Sequence, residues 1–160
     1  MHPRAEEFAT RAAEEHGLEI DPREFPEGTK TARDAAAAIG CDVAQIASSL
    51  AFSVSEELVV VITSGANHVD EAALAERFEV APGDVGMADA EHVKATLGWS
   101  IGGVPPICHD EAVPVLLDET LLECEEVWAA AGTPAAVFPI DPDYLLKLTG
   151  ATPIDVAASG

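Results

Sequence analysis

Residues 48–63 read SSLAFSVSEELVVVIT, and this stretch decides the fold. Two apolar, β-branched runs at 48–54 and 58–63 flank a polar tripeptide at 55–57, an arrangement typical of a β-hairpin. The second run opens with five successive apolar residues (LVVVI), as expected of a strand that is covered on both faces. The stretch therefore predicts a central hairpin within a β-sheet.

Helical periodicity surrounds this hairpin. Helices are predicted over 3–16, 32–39, 70–78, 89–97 and 141–149, each with a capping residue at its start or a glycine after its end. Further strands are predicted over 113–117, 127–130 and 135–139. Strands gather in the middle and helices dominate both ends, so the sequence predicts an α+β fold with a mixed β-sheet. The 160 residues are expected to form one domain, 1–160.

The charge balance is strongly acidic. The sequence holds 29 Asp and Glu against 8 Lys and Arg, a formal charge of -21 at pH 7. The acidic residues are spread along the chain, which indicates a solvated surface and not an acidic tail. Such a surface is typical of halophilic proteins, because molar salt shortens the Debye length to about 3 Å and mutes self-repulsion. The charge excludes an extended basic surface as a signal for nucleic acid, but it does not exclude an RNA partner.

The sequence shows neither a signal-like N-terminus nor an apolar run of membrane-spanning length. We therefore expect a cytoplasmic protein with no membrane partner. Its three cysteines, Cys41, Cys108 and Cys124, are odd in number and widely spaced, which argues against a disulfide framework and against a zinc site. No metal and no cofactor are expected.

Three ordered segments carry a family resemblance: 45–52 (QIASSLAF), 101–106 (IGGVPP) and 127–134 (VWAAAGTP), the last followed by 145–150 (LLKLTG). In this order and spacing the chain resembles the YbaK/ProX family of aminoacyl-tRNA editing domains. The resemblance implies a curved, barrel-like mixed sheet surrounded by helices, with a pocket that admits the aminoacylated 3′ end of a tRNA. It also implies a freestanding deacylase that hydrolyses the ester of a mischarged tRNA, with an aminoacyl-tRNA synthetase as a second candidate partner.

The Gly102-Gly103 pair is the candidate oxyanion site. Ester hydrolysis needs hydrogen-bond donors for the developing oxyanion, and residues without a Cβ let main-chain N–H groups approach a ligand closely. Pro105 and Pro106 restrict this loop, and we expect Val104 and Pro105 to contact the substrate. A tight structural turn is the alternative explanation of the glycine pair.

Ser48 stands where members of this family commonly carry a lysine. A hydroxyl can still form hydrogen bonds, but it lacks the charge that could bind an RNA phosphate or stabilise an oxyanion. Either Ser48 contributes by hydrogen bonding alone, or the protein has lost activity and is a non-catalytic module that binds aminoacyl-tRNA or a synthetase. His109 is the other candidate catalytic side chain, because it could orient water or substrate near pH 7; a packing role is its alternative.

Three more residues are candidate substrate contacts. Asn67 belongs to the polar, glycine-containing loop that follows the predicted central strand. Gly132 and Thr133 follow the strand predicted over 127–130 and could form a second wall of the pocket. A turn that ends the strand explains these two residues equally well.

Overall fold

The computed structural model of the protein describes residues 3–24, 31–101, 103–133 and 135–156. These residues form one mixed sheet and the helices that cover it. The helices are α1 (Pro3–His16), α2 (Ala32–Ile39), α3 (Glu71–Phe78), α4 (Ala90–Leu97) and α5 (Pro142–Thr149). The strands are β1 (Arg23–Glu24), β2 (Ile46–Val54), β3 (Glu57–Ser64), β4 (Val85–Met87), β5 (Val115–Asp118), β6 (Val127–Ala130), β7 (Ala136–Ile140) and β8 (Thr152–Ile154).

The strand order is β1-β7-β6-β2-β3-β5-β8, and β4 also pairs with β2. The pairs β2–β6, β3–β5 and β5–β8 are parallel, whereas the other pairs are antiparallel. The predicted α+β fold with a curved mixed sheet is therefore confirmed. The predicted helices and strands all appear within two residues of their expected bounds.

The central hairpin is confirmed, and its strands are longer than predicted. β2 and β3 pair along eight residue pairs. A two-residue turn joins them, formed by Ser55 and Glu56 with φ of 48° and 73°. Positive φ at both positions is the mark of a type I′ turn, whose twist matches that of the flanking strands. Glu57, expected in the turn, instead begins β3.

Helices cover both faces of the sheet. On one face α2 packs on Ile46 and Trp128, and α3 packs beside Phe52. The opposite face is covered by α1, α4 and α5, and its core cluster includes Phe8, Ala47, Ala51, Val93, Leu97, Val104 and Leu145. None of the helices in the described ranges is long and apolar enough to cross a membrane.

Three short strands have no clear signal in the sequence: β1, β4 and β8. β1 has only two residues, β4 has Gly86 at its centre and β8 has Pro153 at its centre. Both residue types are depleted in strands, so local propensity does not favour either segment. Pairing with a longer neighbouring strand supplies the hydrogen bonds that these segments need.

Asp118, the last residue of β5, is completely buried. Its carboxylate accepts hydrogen bonds from the Ser64 N–H at 2.9 Å, the Asn67 side-chain amide at 2.9 Å and the Thr120 N–H at 3.0 Å. A buried charge is tolerated when its oxygens are hydrogen-bonded in this way. The network joins the end of β3 to the end of β5 and holds the loop that follows β3.

We expect Asp118→Ala to lower the free energy of unfolding by about 3 kcal/mol, because the buried Ser64 N–H loses its acceptor and the Asn67 amide keeps only the Thr120 hydroxyl. Chemical denaturation measures the change. The exposed Asp21→Ala is the matched control and is expected to change the same quantity by less than about 0.5 kcal/mol. A loss below about 1 kcal/mol in Asp118→Ala contradicts this prediction.

Candidate functional site

Strand β2 changes its partner along its outer edge. The pairing with β6 is parallel and reaches only to Ala47. The pairing with β4 is antiparallel and begins at Phe52. Between them, no strand of the described ranges lies opposite residues 48–51. β4 and β6 therefore diverge at this point and leave an opening in the sheet, which we call the sheet gap.

A cavity of about 240 Å³ lies at the sheet gap. Its walls are mostly small and apolar, and it is lined by Thr31, Ala32, Ala35, Ile46, Ala47, Ser48, Ser49, Leu50, Ala51, Met87, Ile101, Val104, Trp128, Ala130 and Val137. Three hydroxyls and one indole N–H are the polar side-chain groups of this set. None of these lining residues carries a titratable side chain. The site is thus an apolar slot edged by strand main chain and a few hydroxyls.

Two of the lining residues are large, apolar and exposed. Met87 is 58% exposed and Ile101 is 46% exposed. Trp128 also lines the cavity, and the Arg23 guanidinium lies 5.0 Å from its ring centroid in a cation–π contact. Exposed apolar side chains beside a cavity are typical of a ligand-binding site. Arg23 adds a positive charge next to this cavity.

The structure brings together only part of the predicted site. Ser48 and Val104 both line the cavity. Gly103, which precedes Val104, packs directly against Thr133. Gly102 lies outside the described residues. Besides Gly103, five other predicted residues that the structure describes do not line the cavity: Asn67, Pro105, His109, Gly132 and Thr133.

Gly103 and Gly132 of the predicted site allow neighbouring segments to pack closely. A Cβ on Gly103 would lie 2.7–2.9 Å from main-chain atoms of Thr133, and a Cβ on Gly132 would lie 2.8 Å from the Trp99 ring. The Gly103 N–H donates to the Ser100 carbonyl at 3.1 Å and closes a turn. An oxyanion role for this N–H therefore requires the turn to open. Substituting Gly103 would disturb packing as well as any chemistry.

His109 supports the loop from behind the cavity. Its Nε2 lies 2.7 Å from the Pro105 carbonyl oxygen, to which it donates in the tautomer that carries the proton there. Burial lowers the pKa of the imidazole, and the nearby Arg11 guanidinium lowers it further, against the opposing effects of the Pro105 carbonyl and Asp110. His109 is thus held neutral near pH 7 and fixes the residue that follows Val104.

Asn67 has a structural role in the described conformation. Its side-chain amide donates to Asp118 at 2.9 Å and to the Thr120 hydroxyl at 3.0 Å. Both bonds belong to the buried network at the ends of β3 and β5. The polar character of this loop, which suggested a substrate contact, is explained here by that network.

Glu15, His16 and Cys108 form a cluster that the cysteine spacing does not reveal. Their candidate ligand atoms lie within 4.8 Å of one another. Arg11 donates to Glu15 at 2.8 Å, which places a positive charge beside the cluster. Burial raises the pKa of the Cys108 thiol to about 12, so the thiolate form that binds metals is disfavoured. The expected absence of a metal stays a prediction.

The fold and the site together define an α+β protein with a small apolar ligand cavity at a gap in its sheet. A family model described as the aminoacyl-tRNA editing domain matches residues 26–148. The chain belongs to this family, and the resemblance seen in the sequence is confirmed.

Solved structures agree with this assignment. A protein proposed to be a trans-editing enzyme for prolyl-tRNA synthetase is 37% identical, with a TM-score of 0.90 over 99% of each chain. A protein from a study of epitope grafting onto scaffold proteins is 36% identical, with a TM-score of 0.90 over 99% of this chain and 100% of that one. A hypothetical protein at 24% identity and a TM-score of 0.80, over 93% of this chain and 98% of that one, supports the fold alone.

The lowered pKa of His109 predicts a pH dependence of stability. The unfolded imidazole binds a proton at higher pH than the folded one, so its contribution is complete above about pH 6.5 and is lost as the pH falls through the folded pKa. We expect the wild type to lose more unfolding free energy than His109→Gln between about pH 7.5 and 5. Glutamine keeps a donor for Pro105 but does not titrate.

Urea denaturation at fixed salt measures this difference. The other histidines and all carboxylates are common to both proteins, so subtracting the two pH profiles isolates His109. Parallel profiles for the two proteins are inconsistent with a depressed His109 pKa.

Proposed function

We propose that the protein is a single-domain, freestanding trans-editing deacylase that hydrolyses the ester of a mischarged aminoacyl-tRNA in the cytoplasm. The observation that carries this proposal is the cavity of about 240 Å³ at the sheet gap. Membership of the aminoacyl-tRNA editing domain family supports it. So does the 37% identity to a protein proposed to edit for prolyl-tRNA synthetase.

The cavity has room for the side chain of an amino acid, and many of its walls are small residues. Ala32, Ala35 and Ala51 contribute methyl groups to its walls, and the volume leaves no room for a nucleotide besides. The terminal adenosine must then lie outside, where Met87 and Ile101 are exposed. A separate hydrolytic site is useful because a synthetase pocket discriminates only weakly, by about 1–3 kcal/mol, against a substrate that is smaller by one methylene.

The nucleophile of this hydrolysis is a water molecule, because attack by a ribose hydroxyl of the substrate would only move the aminoacyl group between two ribose oxygens. The described lining residues offer no carboxylate, histidine or lysine as a general base. His109 donates toward Pro105 and is a positioning residue for the loop that carries Val104. Catalysis then depends on orienting the ester and on hydrogen bonds to its carbonyl oxygen, which both strengthen in the transition state.

Positive charge for the tRNA is supplied locally. Arg23 stacks on Trp128, which lines the cavity, and the exposed Arg33 lies in the first turn of α2 beside Ala32. A terminal single strand presents only a few phosphates near the amino acid. We expect Arg23 and Arg33 to contact phosphates of such an end, even on an acidic protein.

We expect the protein to deacylate at least one of a panel of tRNAPro esters that carry glycine, alanine, serine, cysteine or proline. Release of labelled amino acid is followed in molar KCl, so that inactivity is not confused with repulsion or unfolding. If every ester decays at the rate seen in buffer alone, deacylation is not the function.

A non-catalytic binding module is the second candidate, and Ser48 is the observation that favours it. Ser48 lines the cavity where the family commonly has a lysine. Ser48→Lys separates the two functions. A clear wild-type rate that changes little in this variant supports the enzyme, whereas a large gain from almost no activity supports the binding module.

We expect Arg23→Ala to raise the KM for the aminoacyl-tRNA and to leave kcat within about twofold, because Arg23 contacts the tRNA and not the ester. The dependence of log KM on log salt should flatten by about 0.7, the value for one phosphate of a single strand. Arg77→Ala, on the exposed surface of α3, is the control. Equal salt slopes for wild type and Arg23→Ala contradict the contact.

A further inference from the structure

The sheet gap leaves main-chain groups of β2 without a strand partner. Successive residues of a strand direct their N–H and C=O to alternate neighbours. The Ile46 carbonyl accepts from the Gly65 N–H at 2.8 Å, so the even-numbered residues of β2 face β3. The Ala51 carbonyl accepts from the Ala88 N–H at 3.1 Å, so the odd-numbered residues face the outer edge. Ser49 is the odd-numbered residue in the middle of the gap.

The side chain of Ser49 also lacks a hydrogen-bond partner within the described residues. Its hydroxyl oxygen is buried and forms no hydrogen bond within the described part of the chain. Buried polar atoms are normally paired, because an unpaired one costs free energy. Ser49 also lines the cavity. Within the described residues, the unpaired Ser49 hydroxyl and the Ser49 main chain, which has no strand partner on its outer edge, therefore both lie beside the cavity.

We propose that the aminoacyl group of the substrate pairs with the main chain of Ser49 as a one-residue strand, an inference that rests on the proposed function. The Ser49 N–H donates to the ester carbonyl oxygen, and the Ser49 carbonyl accepts from the α-ammonium group. An extended α-amino acid presents its nitrogen and its carbonyl oxygen on the same side, as a residue does in a hydrogen-bonded antiparallel pair. Recognition is then of any small α-amino acid, with the side chain in the apolar slot.

This pairing also places a donor where charge develops. Water adds to the ester carbon, and the electron pair of the C=O double bond moves to the oxygen held by the Ser49 N–H. Collapse of the adduct breaks the bond to the ribose oxygen. That oxygen takes up the proton lost by the water, and the products are the free amino acid and the tRNA.

The first test changes the substrate. Alanyl-tRNA and lactyl-tRNA differ only in an α-ammonium group or an α-hydroxyl group, so they have nearly the same size. Each enzymatic rate is divided by the uncatalysed rate of the same ester, which removes the intrinsic activation by the ammonium group. We expect the rate enhancement to be at least about tenfold smaller for lactyl-tRNA, because its neutral hydroxyl donates a weaker hydrogen bond to the Ser49 carbonyl than the charged ammonium group does.

The second test changes the protein. Proline at position 49 removes an N–H that does not take part in the β2–β3 ladder, a setting in which strands accept proline. We expect Ser49→Pro to lower kcat/KM for alanyl-tRNA about 100-fold, the usual effect of losing one oxyanion donor. Ser49→Ala keeps the N–H and should retain more activity than Ser49→Pro. Circular dichroism and thermal unfolding show whether each variant is folded.

The outcomes separate this inference from the function on which it rests. Equal rate enhancements for alanyl-tRNA and lactyl-tRNA overturn the pairing and leave the deacylase intact, as does a folded Ser49→Pro with wild-type activity. If Ser49→Pro does not fold, the substrate comparison alone decides. If wild type hydrolyses neither ester, nor any other of the panel, the proposed function fails and the pairing fails with it.

Discussion

The main-chain hydrogen bonds of β2 are the constraint on which the rest of the structure depends. Its inner edge is fully occupied by β3, along eight residue pairs that bury nearly all of β3. Its outer edge must be shared by two strands that run in opposite directions, β6 in parallel and β4 antiparallel. Two such strands cannot meet without a break, so the sheet gap follows from the topology. The cavity lies at that break.

The elements that close the cavity are held by independent interactions. The loop that carries Val104 is fixed by the contact of Gly103 with Thr133 and by the hydrogen bond of His109 to Pro105. α2 is fixed on the other face by a Thr31 cap and by its packing on Trp128. Since neither support depends on residues 48–51, β2 can lack a strand partner there, within the described ranges, without loss of the fold.

Local signals explain which elements could be predicted. The hairpin has a continuous apolar run, and the helices begin at Thr31, Asp70, Asp89 and Asp141, whose side chains accept from main-chain N–H groups. The strands β4 and β8 carry no such signal, because a glycine and a proline occupy their centres. They exist only through long-range pairing, which a linear pattern does not contain.

The same distinction applies to the site. Ser48 and Val104 were predicted from motifs and do line the cavity, whereas Gly103 and His109 belong to the support of the loop. Ser49 was missed, because main-chain groups have no signature in a sequence and only the register of three strands places them at a gap. The motif at 45–52 pointed to the correct strand, but which of the two neighbouring serines directs its main-chain groups toward the gap depends on topology.

The charge distribution completes the argument for recognition through the aminoacyl group. Two of the eight basic residues, Arg4 and Arg11, have structural roles: both stack on Trp99 and both pair with carboxylates. A protein of charge -21 with so few remaining cations gains little from phosphate contacts, and molar salt weakens them further. Hydrogen bonds and apolar contacts made inside a cavity are screened far less. Discrimination between aminoacyl groups must therefore depend mainly on the cavity at the sheet gap. Arg23 and Arg33 only hold the tRNA end beside it.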